Sequence, residues 1–337
     1  FVHNDLSGLS DDEQARQIGQ AIDLFRKHGI SFTGFRSPYL KYNGATLRAV
    51  EQAGFDYDSD LPFYWAPPEF LERLGAGEAG GLRRGLEFYK PVEFPAERSL
   101  PRFIGGIVEI PVSLPDDEIL LDRVGIDCVR IGDTWLEMAR MALEREELFT
   151  VQFHPERLTL LRDALCRTLD FARTSGDFWI ARLSEISGWW RRRAAVDLSV
   201  RSEGKGLYAV DSPRCGADQP VLTIVKPGAD ARVIEPGRTF ASKVRPVVGL
   251  NPGISQTFRR YLREEGYLYE ITEDKDAYSV FIEHDMDATT LSRTLLRAGD
   301  PLICLARWPR PFRAALAVTG DIDCLTLGDF LRRFRED

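Results

Sequence analysis

Cysteine is sparse and scattered in this chain. Its five copies among 337 residues, Cys128, Cys166, Cys215, Cys304 and Cys324, are odd in number and contain no Cys-x-x-Cys step. That argues against a disulfide framework and against a cysteine-built zinc site, and it favours a reducing, cytoplasmic setting. No apolar run reaches the length of a membrane span, and no secretory signal pattern is visible. Positive charge is in deficit: the net charge is −8 and the pI about 5.3, which speaks against nucleic acid as a partner. The one basic run, Trp189 to Arg193, is expected to end a helix with its Trp rings packed and its Arg heads in water. The Gly-rich piece Gly75 to Gly85 lacks a following Gly-Lys-Ser/Thr, so it is not a phosphate-binding loop. Repeats and low-complexity tracts are absent.

What is present is an ordinary globular composition, 44% hydrophobic and 28% charged with mean hydropathy −0.23. The length suffices for a sizeable core and for two domains. Early on, helix and strand patterns alternate. Ser10 followed by Glu13 reads as a capping box, and Ala15, Ile18, Ala21, Ile22 and Phe25 recur at helical spacing before Gly29. Ile30 to Phe35 reads as a strand ending at Arg36, Ala45 to Ala53 as a helix, and Phe55 to Asp58 as the next strand. Residues 66–108 are rich in Pro and Gly and are expected to form a long loop region. Strands are expected at 107–112 and 148–153, and helices over 133–147, 158–174 and 178–193. From residue 196 to 312 short β-like runs dominate, interrupted by one helix at 257–265.

The last strand pattern, Ala314 to Asp323, delivers Asp321 and Asp323 to one side of a strand end. Their like charges repel unless a cation or a basic group sits between them, so a divalent metal would suit the pair. Solvated turn residues capping a following helix are the plain alternative. The other polar strand ends are His3, Arg36, Asp58 and His154. Polar residues at carboxyl ends of strands are how parallel α/β barrels place their chemistry.

Taken together these segments resemble the polysaccharide deacetylases of the NodB-homology type. Val2 to Ser10 resembles the second half of the His-x-x-x-His motif with its trailing Leu-Ser. Gly34-Phe35-Arg36-Ser37-Pro38-Tyr39 resembles the Arg-x-Pro-Tyr motif, and Tyr57-Asp58-Ser59-Asp60 with Trp65 the Asp-Ser…Trp motif. Phe153-His154-Pro155 resembles the late-histidine motif, and Thr319-Gly320-Asp321-Ile322-Asp323 the opening Thr-x-Asp-x-Asp motif. The order is permuted, because the opening motif comes last, and the first His of the His-x-x-x-His pair would fall before Phe1. The resemblance thus implies an α/β fold, a distorted (β/α) barrel of the NodB type that is permuted, with an additional strand-rich α+β domain. Residues 1–195 would be the barrel, with its N-terminal part cropped, 196–312 the accessory domain, and 313–337 the strand and helix completing the barrel. A second deacetylase domain beginning near residue 314 is the rival explanation.

The roles the resemblance implies follow residue by residue. Asp323 and His3 would ligate a divalent metal, zinc by default. Asp321 would be the general base toward water, oriented by Arg36, and His154 would protonate the departing amine with Asp58 tuning it. Tyr39 would offer a backbone amide to the oxyanion, and Tyr64 and Trp65 a stacking wall for a sugar ring. The implied activity is removal of acetyl groups from an N-acetylated carbohydrate. A catalytically impaired carbohydrate-binding barrel, or an amidohydrolase acting on a small C–N substrate, are the alternatives. His28 is expected to serve a helix C-terminus, and Glu283 to Asp287 a solvated turn before a helix.

Overall fold

The structure is a computed structural model and describes residues 5–321 apart from 95, 197, 212–222, 227–231 and 235–236. The chain divides into two compact units, residues 1–188 together with 312–337, and residues 189–311. Among the described residues no helix is long and apolar enough to cross a membrane.

The first unit opens with α1 (Asp11–Lys27), β1 (Gly34–Phe35), α2 (Gly44–Gln52), β2 (Tyr57–Asp58), β3 (Pro62–Tyr64), α3 (Pro68–Glu72) and α4 (Ala76–Tyr89). Strands β4 (Val92–Glu93), β5 (Arg102–Ile104), β6 (Ile107–Glu109) and β7 (Val112–Leu114) follow, then α5 (Cys128–Arg145), β8 (Leu148–Phe153), α6 (Leu158–Ser175), β9 (Phe178–Ile180) and the start of α7 (Leu183–Ala194), whose residues from Trp189 on belong to the second unit. The second unit holds β10 (Ser199–Gly204), β11 (Leu207–Asp211), β12 (Thr223–Lys226), β13 (Arg232–Ile234), β14 (Thr239–Ala241) and β15 (Arg245–Leu250). It continues with α8 (Gln256–Glu264), β16 (Tyr269–Ile271), β17 (Tyr278–Ile282), α9 (Ala288–Leu296) and β18 (Leu302–Leu305), after which β19 (Ala314–Gly320) returns to the first unit.

Three small open sheets organise the first unit, in the orders β1-β2-β6-β5, β4-β3-β7 and β8-β19-β9, and all pairings are parallel except β5 with β6. The first two share two continuous runs, Tyr57 to Tyr64 and Ile107 to Leu114, bridged by the Ile110 amide on the Asp58 carbonyl (2.9 Å) and the Val112 amide on the Leu61 carbonyl (2.8 Å). Phe149, Val151 and Phe153 of β8 pack with Ala314 and Leu316 of β19 and with Trp135, Met138, Leu161 and Leu165 of α5 and α6 in one buried core. Alternation then turns Gln152, His154, Thr319 and Asp321 to the opposite face.

Local sequence explains most element ends. Ser10 caps α1 by accepting from the Glu13 amide, but the Glu13 carboxylate does not reach back: it takes Arg16 and Gln17 instead. The reading of 66–108 as loop is overturned by α3 and α4. The glycines there are a packing face, because a Cβ at Gly81 would stand 1.8 Å from the Arg123 carbonyl oxygen. The expected helix over 178–193 is in fact β9 followed by α7. In the second unit the strands fall in the sheets β10-β11-β14, β13-β12-β18 and the all-parallel β16-β15-β17. Trp189 and Trp190 are buried as expected, but so is Arg193, which donates to the carbonyls of Ala306 (3.0 Å) and Glu264 (2.5 Å) rather than to water.

Candidate active site

The carboxyl ends of β8 and β19 lie side by side. Their register runs from Ala315 opposite Leu148 to Gly320 opposite Phe153, and the Asp321 amide extends the ladder to the Phe153 carbonyl at 3.0 Å. Asp321 therefore stands alongside His154. Gly320 is required for that fit, since a Cβ there would meet the Pro155 ring at 2.8 Å.

Arg36, at the end of β1, is tied to the same place. Its guanidinium donates to the Ser59 carbonyl (2.9 Å), the Ser59 hydroxyl (2.8 Å) and the Thr319 hydroxyl (2.9 Å). Burial works against this charge, while Asp60, Asp321 and Asp58 favour it. The planar fork thus fixes the strand end carrying Asp321 from a position 283 residues away in sequence.

His154 is 6% exposed, and its ring Nδ1 lies 2.9 Å and 3.1 Å from the two oxygens of Asp117. The His154 backbone amide donates to the same carboxylate at 3.1 Å, so Asp117 holds both the ring and its backbone. Burial opposes the imidazolium, but the Asp117 hydrogen bond and charge prevail and lift His154 to about 9. Arg157 approaches Asp117 at 3.7 Å. Next to it, Asp116 accepts the Ile119 amide at 3.0 Å, and burial and Asp117 push its carboxyl up to about 7.

This corrects the role expected of Asp58. The carboxylate that accepts from His154 is Asp117, whereas Asp58 is fully buried among Asp60 and Glu109. Asp117 was missed although the signal was present: it follows the strand run Ile107 to Leu114, as His154 follows β8. Tyr64 and Trp65 are also displaced from their expected role. Both lie in the core, and the Trp65 indole N–H donates to the Ser113 hydroxyl at 2.9 Å, so neither presents a face to a sugar. Tyr39 is 43% exposed and sits with Leu40 in the left-handed region, at φ +60° and +52°. Holding two such residues costs about 1–2 kcal/mol each, strain of the kind that collects at functional loops.

Asp323 and His3, the expected metal ligands, lie outside the described residues. Among the described residues no group of three or more His, Cys, Asp or Glu side chains is placed to hold a metal ion. His28 ends α1, and Asp287 caps α9 through the Thr290 amide at 2.8 Å. No family model, curated protein or solved structure matches this chain.

Proposed function

We propose that the chain is a hydrolase that removes acetyl groups from N-acetylated sugars with the help of a divalent metal, zinc by default. The observation that supports this most is the convergence of Asp321, His154 and Arg36, from three distant motifs, at one end of parallel strands. A carboxylate and a charged imidazole side by side are the base and the acid that amide hydrolysis needs. Asp323 and His3 would hold the metal, whose contribution is to activate water and polarise the acetyl carbonyl.

In this reading Arg36 keeps Asp321 ionised and oriented, so that it can accept a proton from the attacking water. His154, kept protonated by Asp117, gives a proton to the nitrogen as the C–N bond breaks and acetate departs. The Tyr39 amide faces the developing oxyanion. The barrel expected from the motif resemblance, and its permuted order, belong to the same proposal.

The test is metal content by elemental analysis together with acetate release from N-acetylglucosamine oligomers, on wild type and on Asp323→Ala, Asp321→Asn and His154→Ala. About one ion per chain lost in Asp323→Ala, with acetate release lost in all three, supports the reading. Equal metal in both proteins, or wild type with no release, overturns it. The burial of Tyr64 and Trp65 favours a second reading, an amidohydrolase on a small C–N substrate, because the aromatic wall expected for a polymer is absent from those positions. Release from a monomeric amide but not from oligomers would select it.

A further inference from the structure

Asp58 and Glu109 are register partners on the adjacent strands β2 and β6, and both are fully buried, as is Asp60. Three carboxyl groups thus share one dry site, with unequal partners. Glu109 accepts the amides of Asp60 (3.1 Å) and Leu61 (2.9 Å) through one oxygen. Asp60 accepts the Ser37 amide (2.5 Å) and the Ser37 hydroxyl (2.6 Å). Neither oxygen of Asp58 receives a donor, and the adjacent Ser59 amide is directed at the Phe35 carbonyl at 3.1 Å.

Every charged or titratable group facing this cluster enters the balance. Arg36 feels Asp60, Asp321 and Asp58, and Arg102 is the cross-strand neighbour of Glu109. The Tyr42 phenol lies toward Glu109, Asp60 and Asp58, and the Tyr57 phenol toward Arg36. Two guanidinium charges, one of them shared with Asp321, cannot neutralise three carboxylates, so the cluster retains a proton. A carboxylate without donors is the costliest of the three to keep charged, so the proton belongs on Asp58. As an acid, Asp58 supplies its one O–H to the carboxylate of Glu109 or of Asp60, both within its reach.

We propose that Asp58 is held as a neutral carboxylic acid and acts as a pH-sensitive brace for the loop Arg36 to Tyr39. While the proton is present, Asp60 is free to hold Ser37 by two hydrogen bonds, and Ser37 fixes Arg36 beside it. When the proton leaves to solvent, three like charges repel and the Ser37–Asp60 tether loosens. The consequence for the fold stands on this geometry; the consequence for turnover rests on the hydrolase reading above. Burial and its two neighbours raise Asp58 well above the usual carboxylate range, and burial and Asp60 raise Glu109 to about 7. The sign follows: stability is fully present below the ordinary carboxylate value of about 4 and is lost as pH rises through the raised folded values.

The experiment is urea unfolding of the full chain from about pH 4 to about pH 9, for wild type, Asp58→Asn and Glu109→Gln, with the infrared carboxyl stretch and hydrogen exchange of the Ser37 amide. Asparagine keeps the shape and supplies an N–H donor, so Asp58→Asn should fold. Its loss of stability with rising pH should be shallower than that of wild type by about one bound proton. The protonated-carboxyl band of wild type at neutral pH, to which Asp116 and Glu109 also contribute, should be weaker in Asp58→Asn by the share of one carboxyl, and exchange at Ser37 should accelerate with pH, beyond intrinsic chemistry, in wild type alone. An absent band in wild type, a band unchanged in the variant, or equal pH slopes would overturn the proposal. Glu109→Gln guards against a folding failure in Asp58→Asn: it removes one of the three like charges, so its loss of stability with rising pH should likewise be shallower than that of wild type, and a slope equal to wild type would overturn the proposal.

Discussion

The Asp117 carboxylate grips His154 twice, at the ring nitrogen Nδ1 (2.9 Å) and at the backbone amide (3.1 Å). The double contact fixes which ring nitrogen faces Asp117 and leaves Nε2 as the nitrogen that the hydrolase reading assigns to proton transfer. It also decides the charge of the imidazole near neutrality.

Asp117→Asn should therefore bring the His154 titration down from about 9 toward the ordinary imidazole range, because the raising charge is gone while the burial remains. Two-dimensional NMR of the His ring through a pH series reads this directly. In wild type, the stability owed to this raised group is fully present below about 6.5 and is lost as pH climbs through about 9. The variant should lose that alkaline limb. If the hydrolase reading holds, acetate release should also fall by roughly 10²–10⁴-fold, the usual worth of a positioned acid. A His154 titration unchanged in Asp117→Asn would show that another group sets its charge.

Arg36→Lys should be nearly as harmful as Arg36→Ala. The guanidinium serves Ser59 and Thr319 through three separate nitrogens, a geometry an ammonium cannot reproduce. Losing those bonds and stranding their acceptors should cost about 2–3 kcal/mol in urea unfolding, since each buried partner left unmade costs about 1–3 kcal/mol. A lysine variant as stable as wild type would show that the strand end carrying Asp321 is fixed by something else.

The contrast between these residues shows what a single sequence discloses. Strand β8 was legible to its last residue, because the apolar run Leu148 to Phe153 is bounded by Glu147 and by His154-Pro155. Helices α1, α2, α6 and α8 were legible from apolar spacing and caps. Arg36 and Asp321 could be placed at strand ends, and the structure ties the two ends together through the Arg36 bond to the Thr319 hydroxyl. Asp117 could not be paired with His154, because that pairing depends on which strands are neighbours. Nor could the sequence distinguish an exposed aromatic from a core one at Trp65, where only the Ser113 hydroxyl, from a strand 48 residues later, explains the buried indole N–H.

Trp65 yields a test of that correction. Trp65→Ala should destabilise the fold by about 3–5 kcal/mol, the range for emptying a core aromatic site. Trp65→Phe should cost less, mainly through the abandoned Ser113 hydroxyl. If the hydrolase reading holds, neither change should alter affinity for a carbohydrate ligand once the fraction folded is accounted for, as measured by calorimetry. A ligand affinity that drops in Trp65→Phe at full folding would return the indole to the binding surface.

The glycines of helix α4 read as loop punctuation in the sequence but sit inside a helix, and two of them should respond in opposite ways to alanine. At Gly80 the nearest atom to a new Cβ is the flexible Arg84 guanidinium at 3.5 Å, so the gain in helix propensity should dominate. Gly80→Ala is expected to stabilise by about 0.5–1 kcal/mol. At Gly81 the same methyl would lie 1.8 Å from the Arg123 carbonyl oxygen and 3.1 Å from the Val124 Cα, both backbone. The helix must back away from the turn at Ile119–Val124, and overpacking of this kind costs about 1–3 kcal/mol, more than the propensity gain. Urea unfolding of the two variants should therefore shift in opposite directions from wild type. Stabilisation in both would mean that residues 76–89 form a helix that does not lean on 119–124, and that the glycines are spaced there for some other reason.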